Sequence, residues 1–432
     1  MSTVEKQVSA ALTPLYGGPN DWDGLLAAIG DARFVLLGEP THGSHEVYRD
    51  RARITRRLLT ERGFDGVVIE ADWPDAHRVE QYVKRRSADA DASSALLGFA
   101  GRFPTWMWRN HDVVELVDGM RRTTPTAGFY GMDLYSLYAS LDAVLRYLDR
   151  VDPDAAARAR GRYDCFRRFG VDTSRYASLA GLGVGQDCER EARDQLTEMR
   201  ARSLARLEDE DLFSAEQNAR LVKDAETYYR NMFAGSVATW NLRDRHMADT
   251  IGAIVSHLDH RLGRTCKLVV WAHNSHLGDA RATEMGESGE INVGQLMRER
   301  HGRDAFLVGF TTYDGTVTAA PSWDHAPERK KIRPAIAGSF EAIFHATGVP
   351  RFMLLPDADG KLPSELRHTR LERAIGVVYR PETERASHWF DARIADQFDA
   401  VVHLDRTHAV VPLEKSEGWL GGEAPETYPF AV

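Results

Sequence analysis

Cysteine is scarce in this 432-residue chain: Cys165, Cys188 and Cys266 are the only three. Three is an odd number and the positions lie far apart in sequence. No disulfide framework is legible, and the usage suits a reducing, cytoplasmic setting. Long hydrophobic runs are missing too. No stretch approaches the ~20 apolar residues that cross a bilayer, and the polar opening of the chain lacks the apolar core of a secretory signal. No membrane partner is expected. Positive charge is not in excess: a formal net charge of −9 argues against nucleic acid as a partner. There is no Gly-x-Ser-x-Gly elbow to present a nucleophilic serine, and there is no internal repeat. Gly181-Leu182-Gly183-Val184-Gly185 has glycine spacing, but no strand precedes it, so it reads as a loop and not as a dinucleotide fingerprint. What is present, 43% hydrophobic and 28% charged residues, suits one large globular domain with insertions, or two or three small ones.

Four short apolar runs each stop at titratable residues. Phe34-Val35-Leu36-Leu37 stops at Gly38-Glu39-Pro40-Thr41-His42-Gly43. Val67-Val68-Ile69 stops at Glu70, with Asp72 just beyond, and Gly128-Phe129-Tyr130-Gly131-Met132 stops at Asp133. Leu268-Val269-Val270-Trp271 stops at Ala272-His273-Asn274-Ser275-His276. Apolar runs without alternation suit strands buried on both faces, as in a parallel sheet. Open α/β sheets bind ligands in the crevice at the carboxyl ends of their strands. Glu39, His42, Glu70, His273 and His276 are therefore expected to meet at one edge, with Asp133 and Asn274 beside them. Ser44 is the expected N-cap of a helix that follows the first run. Val47, Ile54 and Leu58 give that helix an apolar stripe, and Arg51 sits in its middle. Arg51 either snorkels at the margin of the stripe or is buried against Glu39 or Glu70; the second reading is favoured.

Further helices are expected over 21–31, 75–86 and 111–122, and long ones over 136–150, 189–208, 215–233 and 240–262. Further strands are expected over 305–310, 351–355, 375–379 and 400–404. The class is α/β: a mostly parallel central sheet flanked by helices, with a large helical insertion covering the cleft. The boundaries are 1–133 and 264–432 for the core and 134–263 for the insertion. In the last helix of the insertion Arg243 and Asp244 point to the site or form an ordinary helix-start ion pair. The stretch Arg102-Phe103-Pro104-Thr105-Trp106-Met107-Trp108-Arg109-Asn110 offers Trp106 and Arg109 as substrate contacts; the alternative is that it simply covers the sheet.

Carboxylates, histidines and an arginine at one edge support two chemistries. A histidine held by a carboxylate can deprotonate water while its neighbours stabilise the oxyanion or protonate the leaving alkoxide. Alternatively, the same groups could ligate a divalent metal that activates water. No tightly bound ion and no other cofactor are expected, because Arg51 already supplies positive charge among the carboxylates.

The motifs Gly38-Glu39-Pro40-Thr41-His42-Gly43, Arg51, Val68-Ile69-Glu70 and Trp271-Ala272-His273-Asn274-Ser275-His276, in this order over nearly the whole chain, resemble the erythromycin esterase family. The stretches Arg380-Pro381-Glu382-Thr383-Glu384-Arg385 and Gln397-Phe398-Asp399-Ala400-Val401 resemble its broad bacterial branch more than the resistance esterases. The resemblance implies an α/β core with a helical bundle over a deep cleft, and hydrolysis of an ester or macrocyclic lactone by activated water. It implies His42 as general base, with Glu39, Arg51, Glu70, His273 and His276 as the other functional positions. Glu70 and His273 are candidates for supporting proton transfer, and His276 for orienting the substrate or binding the oxyanion. The partner is then a small-molecule ester or lactone, a macrolide among the possibilities, in resistance or secondary metabolism. A biosynthetic acyl-transfer or cyclisation enzyme and a small-molecule-binding protein are the remaining alternatives.

Overall fold

The computed structural model describes residues 2–167, 176–178, 188–204, 206–232 and 235–421. The apolar runs form the middle of a nine-stranded sheet, counted over those residues. In chain order its strands are β1 (Leu12–Pro14), β2 (Phe34–Leu37), β3 (Gly66–Asp72), β4 (Gly128–Asp133), β5 (Leu268–Trp271), β6 (Ala305–Ala319), β7 (Glu328–Ile332), β8 (Arg351–Leu354) and β11 (Ala400–Thr407), the last following a separate pair, β9 (Arg370–Arg373) and β10 (Trp389–Ala392). The spatial order is β1-β8-β11-β6-β2-β5-β3-β4, with β7 paired to the far end of β6. From β11 through β4 every neighbouring pair is parallel; β1, β8 and β7 join antiparallel. The sheet is therefore mostly parallel. Because β5 slots between β2 and β3, the three strands end side by side.

Successive side chains of a strand face opposite layers, and the core divides accordingly. Val35, Leu37, Val67, Ile69, Val269 and Trp271 pack with Ile54, Leu58, Val113 and Val117, so the helices His45–Glu61 and His111–Thr123 cover one face. Phe34, Leu36, Val68, Leu268 and Val270 share the other core with Leu141, Val144, Leu221, Met247, Ile251 and Ile254. On that side the helix Ser236–Leu262 lies along β4 and Glu210–Arg230 packs on it, with Leu137–Val151 and Glu189–Leu204 against Glu210–Arg230 and Pro153–Arg167 against those two.

Several local expectations need correction. The strand expected over 305–310 continues to Ala319, because β11 and then β7 supply partners beyond the sheet's edge. The stretch 375–379 is no strand: Ile375 and Val378 make single bridges to Thr41 and Ala320, and the regular pairing belongs to Arg370–Arg373. Pro153–Arg167 is a helix that the apolar pattern does not announce, since its buried face is mostly alanine (Ala155, Ala156, Ala159). Ser44 stands at the N-cap position but does not cap; its hydroxyl meets Thr41 Oγ1 at 2.6 Å instead. The Gly181–Gly185 loop lies outside the described residues. Cys165 and Cys188 are joined as a disulfide with their Cα atoms 5.9 Å apart, and only Cys266 is a free, buried thiol. The inference of a reducing compartment from cysteine usage therefore loses its basis. Among the described residues no helix is long and apolar enough to cross a membrane.

Candidate active site

Close backbone packing fixes the exits of β2 and β5. A Cβ added at Gly38 would lie 2.2 Å from Asn274 Oδ1, so only glycine fits there. The Asn274 backbone N–H donates to the Glu39 carbonyl at 2.8 Å. Its side chain donates to the Phe310 carbonyl at 2.7 Å and to Glu372 Oε1 at 3.3 Å. Asn274, expected beside the histidines, is fully buried and ties the exits of β2 and β5 to β6 and β9. Across the edge, β3 carries a bulge: Ile69 pairs with Gly131 and Asp72 with Asp133, so Glu70 and Ala71 oppose the single residue Met132. Such a bulge re-aims side chains, and here Glu70 meets β5, accepting from the His273 backbone N–H at 2.9 Å.

His42, Glu39 and Arg51 form a line. His42 Nδ1 donates to Glu39 Oε1 at 2.7 Å, and Arg51 Nη2 donates to the other oxygen, Oε2. Arg51 is wholly buried, its guanidinium lying 4.6 Å from the Tyr48 ring centroid and 4.4 Å from that of Trp271. With Nδ1 donating to Glu39, a neutral His42 ring has its lone pair on Nε2.

His273 has the opposite tautomer. Its Nδ1 accepts from the Ser275 backbone N–H at 3.2 Å and lies 2.8 Å from Ser275 Oγ, which leaves the proton to Nε2, buried on the side of the Pro40 carbonyl. Burial and the neighbouring His42 hold its pKa well below the usual histidine value, against the pull of Glu70 and the Pro40 carbonyl. The ring is therefore neutral. The His42 and His273 ring centroids are 4.8 Å apart.

The second line runs through Arg243. Its Nε donates to Asp133 Oδ1 at 3.0 Å, and its Nη2 to Glu70 Oε1 at 2.7 Å and Asp133 Oδ2 at 2.8 Å. Its Nη1 lies 3.0 Å from His276 Nε2. His276 Nδ1 is 2.9 Å from Asp244 Oδ1, and Trp240 stacks on the imidazole at 4.5 Å. Although burial opposes ionisation, His276, Arg243 and His42 together hold Glu70 far below the usual carboxylate range. Against the same burial penalty, Arg243 lowers Asp133. Both acids are therefore carboxylates at neutral pH. Among the described residues no group of three histidine, cysteine, aspartate or glutamate side chains is arranged to hold a metal ion.

Glu39, His42, Arg51, Glu70, Asp133, Arg243, His273 and His276 thus converge at the carboxyl edge of the parallel strands. Trp106 and Arg109 do not join them. Trp106 is buried in the core beneath the His45–Glu61 layer with Phe103 edge-on to it, and Arg109 pairs with Glu414 and the Ser93 carbonyl. From that stretch it is Arg102 that reaches the site, pairing with Asp72 and lying 5.5 Å over the Tyr135 ring. Sequence reasoning passed over Arg102, Tyr135 and Ser275. The only advance signal was that Asp72 stands two residues past Glu70 and needs a cation.

A mostly parallel α/β sheet with two lines of histidine, carboxylate and arginine at its strand ends defines a class of candidate strand-end sites. The sequence profile of the erythromycin esterase family matches residues 59–407. The chain belongs to that family. It is 21% identical over 401 residues to the putative hydrolase YbfO of Bacillus subtilis, covering 86% of this chain and 83% of that one. It is also 21% identical over 408 residues to the erythromycin esterase type II of Escherichia coli, covering 85% and 93%. A crystal structure of a Bacillus cereus protein superposes with a TM-score of 0.75 at 19% identity, over 95% of this chain and 98% of the other. Family and relatives' names support a hydrolase.

Proposed function

We propose that the protein hydrolyses a carboxylic ester or lactone with water activated by His42. The observation that carries this is the pair of imidazole rings with centroids 4.8 Å apart, His42 turned with Nδ1 on Glu39 and His273 with Nδ1 on Ser275; in that arrangement His42 Nε2 offers a lone pair and His273 Nε2 a proton. A water beside His42 gives its proton to Nε2 as its oxygen bonds to the substrate carbonyl carbon, and the carbonyl electrons move onto oxygen. The His273 N–H stands ready for that oxyanion, and a neutral imidazole donates without bringing a charge of its own. Collapse then breaks the bond to the leaving oxygen, which takes its proton back from the His42 imidazolium. Glu39 orients His42 and balances its transient charge, and Arg51 holds Glu39. Glu70 is scaffolding, one oxygen held by Arg243 and the other by the His273 backbone N–H. A macrolide lactone is the substrate suggested by the name of the Escherichia coli relative.

The test is a mass-spectrometric screen of purified protein against esters and lactones, with and without chelator. His42→Ala should lose about a hundred- to ten-thousandfold in turnover on any hit, with Tm nearly unchanged. Chelator should have no effect, because every oxygen of Glu39 and Glu70 is already engaged. Near-normal turnover by His42→Ala would remove the general base; stoichiometric zinc or manganese, with activity lost to chelator, would replace it with a metal-activated water.

A further inference from the structure

A guanidinium has five N–H donors in a fixed plane. In Arg243 four are accounted for: Nε–H on Asp133, both Nη2–H on Glu70 and Asp133, and one Nη1–H on His276. One Nη1–H has no partner among the described residues. Arginine cannot accept, so the 3.0 Å contact with His276 Nε2 requires a lone pair there. The proton of His276 must then sit on Nδ1, where Asp244 receives it from 2.9 and 3.0 Å with its two oxygens. Asp244 is itself fully buried and anchored by the Val293 backbone N–H at 3.1 Å. His276 consequently has no nitrogen left for a substrate.

We propose that Asp244 and His276 are positioning residues that hold Arg243 with one N–H free, and that this N–H stabilises the charge developing on the substrate carbonyl oxygen. The proposal rests on the hydrolytic reading above and deepens it. The two donors are set on one carboxylate: Glu70 Oε1 takes Arg243, and Glu70 Oε2 takes the His273 backbone N–H. The cation of Arg243 and the neutral N–H of His273 therefore line the same wall. The groups acting on His276 are Asp244 and Arg243 on its own side, Glu70 from β3, His273 beside it, and Glu290 from the turn after the Glu284–Glu287 helix. Burial opposes its protonation, Asp244 and Glu70 favour it, and Arg243 opposes it, leaving the pKa above the usual histidine value. Below that pKa the ring gains an Nε2 proton, which would break the Arg243 contact.

The experiment combines kinetics with imidazole NMR. On the ester or lactone found in the screen, Asp244→Ala should lower kcat about ten- to a hundredfold with KM within about twofold, as for loss of one oxyanion donor. Asp244→Asn should retain kcat within about threefold, because a neutral His276 needs only an acceptor at Nδ1. In a His276→Ala background Asp244→Ala should cost nothing further, since the relay is already cut. Long-range proton–nitrogen spectra of histidine-labelled protein at pH 8 should give His276 as the Nδ1–H tautomer, a readout that needs no substrate and survives any failure of a variant to fold. An Nε2–H tautomer, losses that multiply, or Asp244→Asn as impaired as Asp244→Ala would overturn the proposal. Full turnover by His42→Ala would instead overturn the hydrolytic reading and leave the tautomer assignment standing.

Discussion

Arg51 carries its own explanation in its place along a helix. A guanidinium at the centre of an apolar stripe must find an anion, and Glu39 is that anion, with the Tyr48 and Trp271 rings, set edge to face, both lying against the cation. Arg51→Ala would leave Glu39 Oε2 buried without its cation, at a cost of roughly 3–5 kcal/mol. Stability and turnover should fall together, as thermal unfolding and steady-state kinetics would read. Arg51→Lys should not restore either, because a compact ammonium lacks the flat guanidinium face that lies against the Tyr48 and Trp271 rings. A lysine variant that melts and turns over like the parent would mean that only the charge matters. His273 was legible in position but not in state. Its tautomer depends on the Ser275 backbone N–H turning back onto Nδ1, a three-dimensional fact that residue identity does not encode.

At the scale of elements, the four strand ends were readable because buried parallel strands are apolar throughout and stop where the crevice begins. The rest depended on partners distant in sequence. The far half of β6 shows the polar residues Thr311, Thr312 and Asp314, and becomes strand only because β11 and β7 pair with it. The 375–379 run has strand-like residues but finds no continuous neighbour. The same distant packing sets the His42 loop. Thr318 of β6 donates its N–H to the Gly43 carbonyl at 3.0 Å, and a Cβ added at Gly43 would lie 2.0 Å from the Thr318 carbonyl oxygen. Gly43→Ala must therefore push the β6 extension and the loop apart, at the roughly 1–3 kcal/mol typical of overpacking. It should lower both Tm and kcat although alanine adds no charge and removes no contact. Unchanged kinetics would mean that the loop holds His42 independently of β6.

At the scale of the whole molecule two sets of buried carboxylates contrast. Those facing the crevice are matched by cations: Glu39 by Arg51, Glu70 and Asp133 by Arg243. Behind the strand ends lies a second set, Glu341 and Glu372, both fully buried, where acid faces acid. Burial and then Glu341 push Glu372 well above the usual carboxylate range, against hydrogen bonds from Asn274 and Gln397. The sign follows from proton binding. With a folded pKa above the unfolded 4.5, the native state holds a proton that the unfolded chain releases once pH passes that value. Stability from this group is full below the unfolded pKa and is lost as pH rises toward the folded one, at about 1.4 kcal/mol per pH unit. Glu372→Gln keeps an oxygen for the Asn274 amide and removes the proton. It should unfold at nearly the same urea concentration as the parent at pH 4 and at a higher one at pH 8, the gap widening with pH between them. A gap that is constant, or that narrows toward pH 8, would mean that Glu372 is ionised in the folded protein and that the net behind Asn274 is held by charge.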